Sequence, residues 1–219
     1  MHFMSIEVAA QLFLYVPSNP TVSPSNFDEF LSARKREKEM PEIDVPFSHN
    51  HLHDLESLWW VTVWVVFYHS FSEGTTPHDR LTLQDANDQL NLAEKLFPPV
   101  VDSSTRQINF TIYGSFEKIC DQLPSNKKDA NFCLEFLREH LIKHFRAIEA
   151  EYPLVNPNAS TDDIYDCFTQ AFTDLKARYH DFALEPIQDI YAKLLKSAKK
   201  RPRSESTNDT GAAQKNPRK

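Results

Sequence analysis

Three histidines, His49, His51 and His53, alternate directly ahead of two carboxylates, Asp54 and Glu56. Imidazoles at that spacing can ligate a transition metal, because a neutral ring offers one nitrogen lone pair to the ion. A metal centre also needs further ligands at fixed spacing, as in HExxH or paired CxxC, and the sequence holds neither. The same residues serve as a polar loop leading into a helix, with the carboxylates facing the free N–H groups and positive dipole end of its first turn. That second reading is the better one.

Nucleophilic chemistry has less to stand on. Ser115 follows Gly114, but no G-x-S-x-G is present and no strand-turn-helix setting surrounds the pair. Cys120, Cys133 and Cys167 are 13 and 34 residues apart, with no CxxC and no secretory segment, so they read as reduced thiols of an intracellular protein. Cys133 and Cys167 fall in helical apolar patterns, where packing is the expected role. Among 31 Asp and Glu nothing singles out one catalytic pair. Lys199, Lys200, Arg201 and Arg203 form the basic cluster "KKRPR". It reads as a nuclear-import signal or as a solubilising tail, placing the protein in the cytoplasm or the nucleus, with at most weak nucleic-acid contact.

The elements that must position these residues are helical. "HDLESLWWVTVWVVFYHSF" carries all three tryptophans, and its β-branched run favours a strand by propensity. The stretch from Asp54 to Phe71 nevertheless exceeds ordinary strand length and contains no turn signal, so it is expected to be a buried helix capped by Asp54. Its longest apolar run, Leu58 to Phe67, is too short for a membrane span. Helical spacing recurs in Leu83, Ala86, Leu90, Ala93 and Phe97 behind a Thr82 cap, and in Phe132, Phe136, Leu137, Leu141, Phe145 and Ile148. It recurs again in Ile164, Phe168, Ala171, Phe172 and Leu175 behind Ser160 or Thr161. A last helix begins at Pro186 and turns Ile187, Ile190, Leu194 and Leu195 inward. Asn26 with Glu29 gives a capping-box signal for a short helix between proline-rich stretches.

Composition agrees. In 219 residues, 41% hydrophobic content supports a core, and only three glycines leave little for phosphate loops or hairpin turns. The net charge of −7 is uneven: residues 196–219 hold eight Lys and Arg against Glu205 and Asp209, so the body is acidic and the tail basic. An acidic body disfavours nucleic-acid binding on the globular part. The polar tail, without aromatics, is expected to be disordered.

Two segments resemble a known family. "HLHDLESLWWVTVWVVF" is similar to the start of the large central helix in the C-terminal lobe of protein kinases, especially the "DDLES" version of the casein-kinase group and of fungal-type protein kinases. "HFMSIEV", His2 to Val8, resembles the end of the kinase activation segment, and the order of the two is correct. The resemblance implies two architectural roles. Asp54 takes the place of the helix aspartate that receives backbone N–H groups from the catalytic loop. Glu7 takes the place of a glutamate in a buried ion pair with an arginine, for which Arg138, Arg146 and Arg178 are candidates.

The departures are large. There is no G-x-G-x-x-G loop, no V-A-I-K lysine, no His-Arg-Asp and no Asp-Phe-Gly, while "HDR" at His78–Arg80 has the wrong order and follows the central helix. Catalytic, cofactor-binding and metal residues are therefore expected to be none in this chain, and ATP and Mg²⁺ belong only to a full-length active kinase. The chain reads as starting mid-fold. The expected architecture is mainly α: a partial protein-kinase-like domain over residues 1–195 with an insertion at 17–47, its N-terminal lobe absent, and a disordered basic tail over 196–219. The expected role is a non-catalytic interaction module or truncated remnant, with apolar surface exposed near Trp59, Trp60 and Trp64 for a protein partner or self-association. The alternatives are one part of an active serine/threonine kinase, or an unrelated helical binding protein.

Overall fold

The computed structural model describes residues 4–10, 14–15, 47–72, 81–98, 103–150 and 162–200. These residues are mainly helical. The first helix is α1 (Ile6–Ala10), followed by the long α2 (His51–Tyr68), strand β1 (His69–Ser72) and α3 (Leu83–Leu96). Next come α4 (Ser103–Thr111), α5 (Ser115–Cys120), a 3-10 turn (Ser125–Lys127) and α6 (Lys128–Glu149). The described chain ends with α7 (Asp162–Tyr179), strand β2 (Ala183–Pro186) and α8 (Ile187–Lys200). The capping-box helix after Asn26 and most of the proposed 17–47 insertion lie outside the described residues, as do Arg201 and Arg203 of the basic cluster.

Helix α2 is the centre of the packing. It packs against α6 and α3, α7 packs on α6, and α8 packs on α3. Burial overrides the strand propensity of "VTVWVVF": a helix satisfies its own backbone hydrogen bonds, so its large side chains can be buried on several faces. Trp59 and Trp60 are both fully buried, meeting edge to face with ring centroids 4.7 Å apart. Phe110 and Phe116 close around Trp59 at 5.2 and 4.9 Å.

The amphipathic patterns fold largely as read. Thr82 caps α3 in a reciprocal box: its Oγ1 accepts the Asp85 N–H at 3.1 Å, and Asp85 Oδ2 accepts the Thr82 N–H at 3.0 Å. Ile164, Phe168 and Ala171 are buried on α7, and Ile187 is buried at the start of α8. On α6 the inward stripe is Ala130, Leu134, Leu137, Leu141, Phe145 and Ile148, whereas Phe132 and Phe136 are 61% and 43% exposed. The two phenylalanines fall outside the stripe because residues 130, 134, 137 and 141 already fill the face toward α2.

Three boundaries differ from expectation. Helix α2 starts at His51, ahead of Asp54, and stops at Tyr68, where the chain turns into β1 instead of running helical through Phe71. Strand β1 pairs antiparallel with β2, with His69 opposite Pro186 and Ser72 opposite Ala183. No hairpin turn is needed for this ribbon, since its strands come from distant parts of the chain. Helix α8 continues to Lys200, so residues 196–200 belong to the folded body and not to a disordered tail. Among the described residues no helix is long and apolar enough to cross a membrane.

Candidate functional site

The polar groups concentrate at the head of α2. Asn50, not Asp54, is the N-cap: its Oδ1 accepts the Leu52 N–H at 2.9 Å, and His53 Nδ1 accepts the Asn50 N–H at 2.9 Å. An imidazole thus fills the third helical position that Glu or Gln occupies in the usual box. With Nδ1 accepting, Nε2 must carry the proton of a neutral ring, and it donates to Glu7 Oε2 at 2.9 Å. Burial lowers the His53 pKa to about 4 in spite of the nearby acids, so this contact is a hydrogen bond between a neutral ring and Glu7. Asp54 points outward, its side chain 77% exposed and 3.4 Å from His49.

Around His53 three glutamates converge, all buried. Glu56 Oε1 accepts the Ile6 N–H at 2.9 Å and the Trp60 Nε1–H at 3.0 Å. Glu7 Oε1 accepts the Leu14 N–H at 2.8 Å, and Glu149 Oε2 accepts the Tyr15 N–H at 2.7 Å. Glu7 and Glu149 act on one another electrostatically, while Glu149 Oε1 is buried with no hydrogen-bond partner. Burial first, then the neighbouring Glu7 charge, raises the Glu149 pKa to about 8. Burial likewise raises Glu56 to about 8 and raises Glu7. The Arg106 guanidinium stands beside Glu56, 4.3 Å above the Trp60 ring, and donates from Nη2 to the Met4 carbonyl at 2.9 Å.

This cluster corrects the roles that the resemblance implied. Glu7 is buried, as a structural glutamate should be, but the His53 ring and the Leu14 N–H hold it, and among the described residues no arginine forms a salt bridge with it. Arg138 forks onto Glu135, from Nε at 2.8 Å and Nη2 at 2.5 Å, and also donates to the Phe110 carbonyl at 2.6 Å. Arg178 pairs with Asp129 at 2.7 Å, and Arg146 is exposed. Asp54 is not the cap. The capping position falls four residues earlier because the helix needs an acceptor outside its first turn, and Asn50 holds the extended backbone of that place at φ −134° and ψ 170°. Nothing in the sequence pattern marked His53 as the third partner of the box or Glu149 as the acceptor for the Tyr15 N–H. The signal available was only an ionisable residue at inward spacing on each helix.

The opposite end of α2 is closed by a buried cation. Helix ends leave carbonyls without partners, and here Lys127 Nζ donates to the Val66 and His69 carbonyls while Gln89 Nε2 donates to Phe67 at 2.7 Å. Burial lowers the Lys127 pKa to about 7. The first end of the central helix is thus capped by its own Asn50 and His53, and the second is closed by side chains from other elements.

The remaining candidates are separated by the fold. His53 turns inward, His49 stays beside Asp54, and the His51 ring lies 6.1 Å from Tyr165. Among the described residues no group of three or more His, Cys, Asp or Glu could hold a metal ion. Ser115 opens α5 behind Gly114, whose φ of +71° is the left-handed turn that glycine accepts at low cost. Burial raises the thiols of Cys120 and Cys167, and that of Cys133 to about 11, which suppresses thiolate at neutral pH. The apolar surface expected at Trp59 and Trp60 is closed, since both are fully buried, while Trp64 is partly buried. Phe132 instead lines a groove of about 280 Å³ with Cys120, Leu123, Pro124 and Lys128, between α5 and α6.

Among family models, curated proteins and solved structures alike, the chain has no match. The functional reading therefore rests on its own residues and their geometry.

Proposed function

We propose that the chain is a non-catalytic helical module equivalent to the C-terminal lobe of a fungal-type protein kinase, acting through protein contacts and not through phosphoryl transfer. One observation supports this most: the two segments that carry the resemblance pack together. Residues 6 and 7 sit on the first turns of α2, through the Ile6 N–H to Glu56 and the His53 ring to Glu7, across 50 and 46 residues of sequence. Segments matched in order along the chain thus also form one buried unit, and Glu7 has an architectural place within it. Phosphoryl transfer needs a loop and a lysine on the phosphates, carboxylate and amide groups on Mg²⁺, and an aspartate at the acceptor hydroxyl. The sequence motifs for these are missing, and Asp54, which the resemblance assigns to the helix aspartate, faces solvent.

The test is a Mg²⁺-ATP titration of the purified chain, followed by transfer of labelled phosphate to generic protein substrates and to the chain itself. The expected result is neither saturable micromolar binding nor incorporation. Binding with incorporation, abolished by one point substitution within residues 1–195, would overturn the reading.

A further inference from the structure

Two carboxylates of α5 stand where nothing in the described body matches their charge. Glu117 and Asp121 are four residues apart, joined by the hydrogen bond from the Asp121 N–H to the Glu117 carbonyl at 2.9 Å, so they share one face, and both are exposed. Like charges at that spacing destabilise a helix, and Asp121, as the C-cap, also meets the negative end of the dipole. Among the described residues the carboxylates paired with Lys or Arg are Glu135, Asp129 and Glu185. Glu117 and Asp121 are left without a cation at ion-pair distance.

Both border the groove of about 280 Å³ between α5 and α6, to which Leu123, Pro124 and Phe132 give apolar walls. Phe132 is 61% exposed, and Phe136, one turn further along the same face of α6, is exposed as well. Glu135 also lines the groove, but Arg138 holds both its oxygens, and Lys128 lies 5.6 Å from the centre of the Phe132 ring. The carboxylates still prevail. Burial first, then the charges of Glu135 and Asp121, raise the Cys120 thiol in the groove wall, with Arg138 opposing and Glu117 adding to the rise.

Charge and size together select the class of ligand. A nucleotide, a nucleic acid or an anionic lipid surface would bring phosphate against Glu117 and Asp121, and such like-charge contacts are costly. Small-molecule pockets span about 300–1,000 Å³, so this groove suits one or two side chains of a peptide better than a whole cofactor. Residues 201–219 of the chain are basic, but they hold no large apolar side chain to fill the hollow.

We propose that the groove between α5 and α6 docks a basic peptide segment of a partner protein, an apolar side chain such as Leu or Phe entering against Phe132 while a flanking Arg or Lys reaches Glu117 and Asp121. The inference rests on the reading that this chain acts through protein contacts, and it supplies the surface and the partner's chemistry. Arginine is the better flanking residue, because a guanidinium both forks onto a carboxylate and stacks on an exposed aromatic ring.

An array of short synthetic peptides of random sequence, probed with the labelled full chain, tests this, followed by fluorescence anisotropy on the peptides retained. Those peptides should combine Leu or Phe with Arg or Lys, and added salt should weaken their binding. Phe132→Ala, and Glu117→Lys combined with Asp121→Lys, should each weaken it about tenfold or more. All three positions are exposed, so the circular dichroism and denaturant midpoint of these variants should stay near those of the wild type. No retained peptide, retention of acidic or uncharged peptides alone, or unchanged binding in either variant would overturn the docking site. An affinity that rises about tenfold when residues 201–219 are removed would overturn the partner in favour of the chain's own tail. None of these outcomes bears on phosphate incorporation, so a failure of the groove is distinguishable from a failure of the non-catalytic reading.

Discussion

Asn50 and Asp54 divide the head of α2 between two effects of different size. Asn50 supplies a hydrogen bond to an otherwise unpartnered N–H, while Asp54, exposed in the first turn, offers only a screened charge to the helix dipole. Asn50→Ala should therefore lower stability by about 0.5–2 kcal/mol, and Asp54→Ala by no more than about 0.3–1 kcal/mol. Denaturant midpoints of the two variants check the order. A larger loss in Asp54→Ala would return the cap to the position that the sequence alone favours. His53 belongs to the same scale: one ring completes the capping box and also holds Glu7, so the helix terminus and the N-terminal segment share a residue.

At the scale of elements, the ribbon and α8 depend on one another. A two-stranded ribbon is marginal by itself. Here β1 follows directly from α2, β2 leads directly into α8, and α8 packs on α3. Removing residues 187–219 should uncover the face of α3 on which α8 packs, leave β2 without support and broaden the unfolding transition. Removing only residues 201–219, a polar stretch without aromatics, should change stability by less than about 0.5 kcal/mol. Urea unfolding followed by tryptophan fluorescence distinguishes the two. Equal stability of both truncations would mean that α8 contributes no packing.

At the scale of the whole molecule, the buried ionisable groups shape the pH dependence of stability. Glu56 and Glu149 rise from 4.5 to about 8 on folding, so between those values the folded chain holds protons that the unfolded chain has lost, and stability falls as pH rises. His53 works the other way between about 4 and 6.5, being neutral when folded and charged when unfolded. Lys127 also opposes the carboxyls, adding stability from about pH 7 toward 10.5. Two carboxyls outweigh one histidine, so the denaturant midpoint should decline from pH 5.5 to pH 8. Glu56→Gln, which keeps an acceptor for Ile6 and Trp60 without the charge, should decline less steeply. An equal slope in wild type and variant would show that Glu56 does not carry this dependence.

The sequence alone determined the helical class, the Thr82 cap, the buried Ile164, Phe168 and Ala171 of α7, and the burial of a central tryptophan-bearing helix. Each of these follows from local spacing and from the loss of water contact that large apolar side chains favour. On α3, by contrast, Gln89, Leu92 and Leu96 are buried in place of Leu83 and Leu90. Only the tertiary structure decided which polar groups those helices would enclose. Glu7 lies 142 residues from Glu149 in sequence, and no local pattern links them. Lys127 reads as a surface residue until the end of α2 presents it with unpartnered carbonyls. The exposure expected at Trp59 and Trp60 failed for the same reason. Phe110 and Phe116 close over the indoles, and the N-terminal segment, through Ile6 and Tyr15, adds apolar groups to the same core.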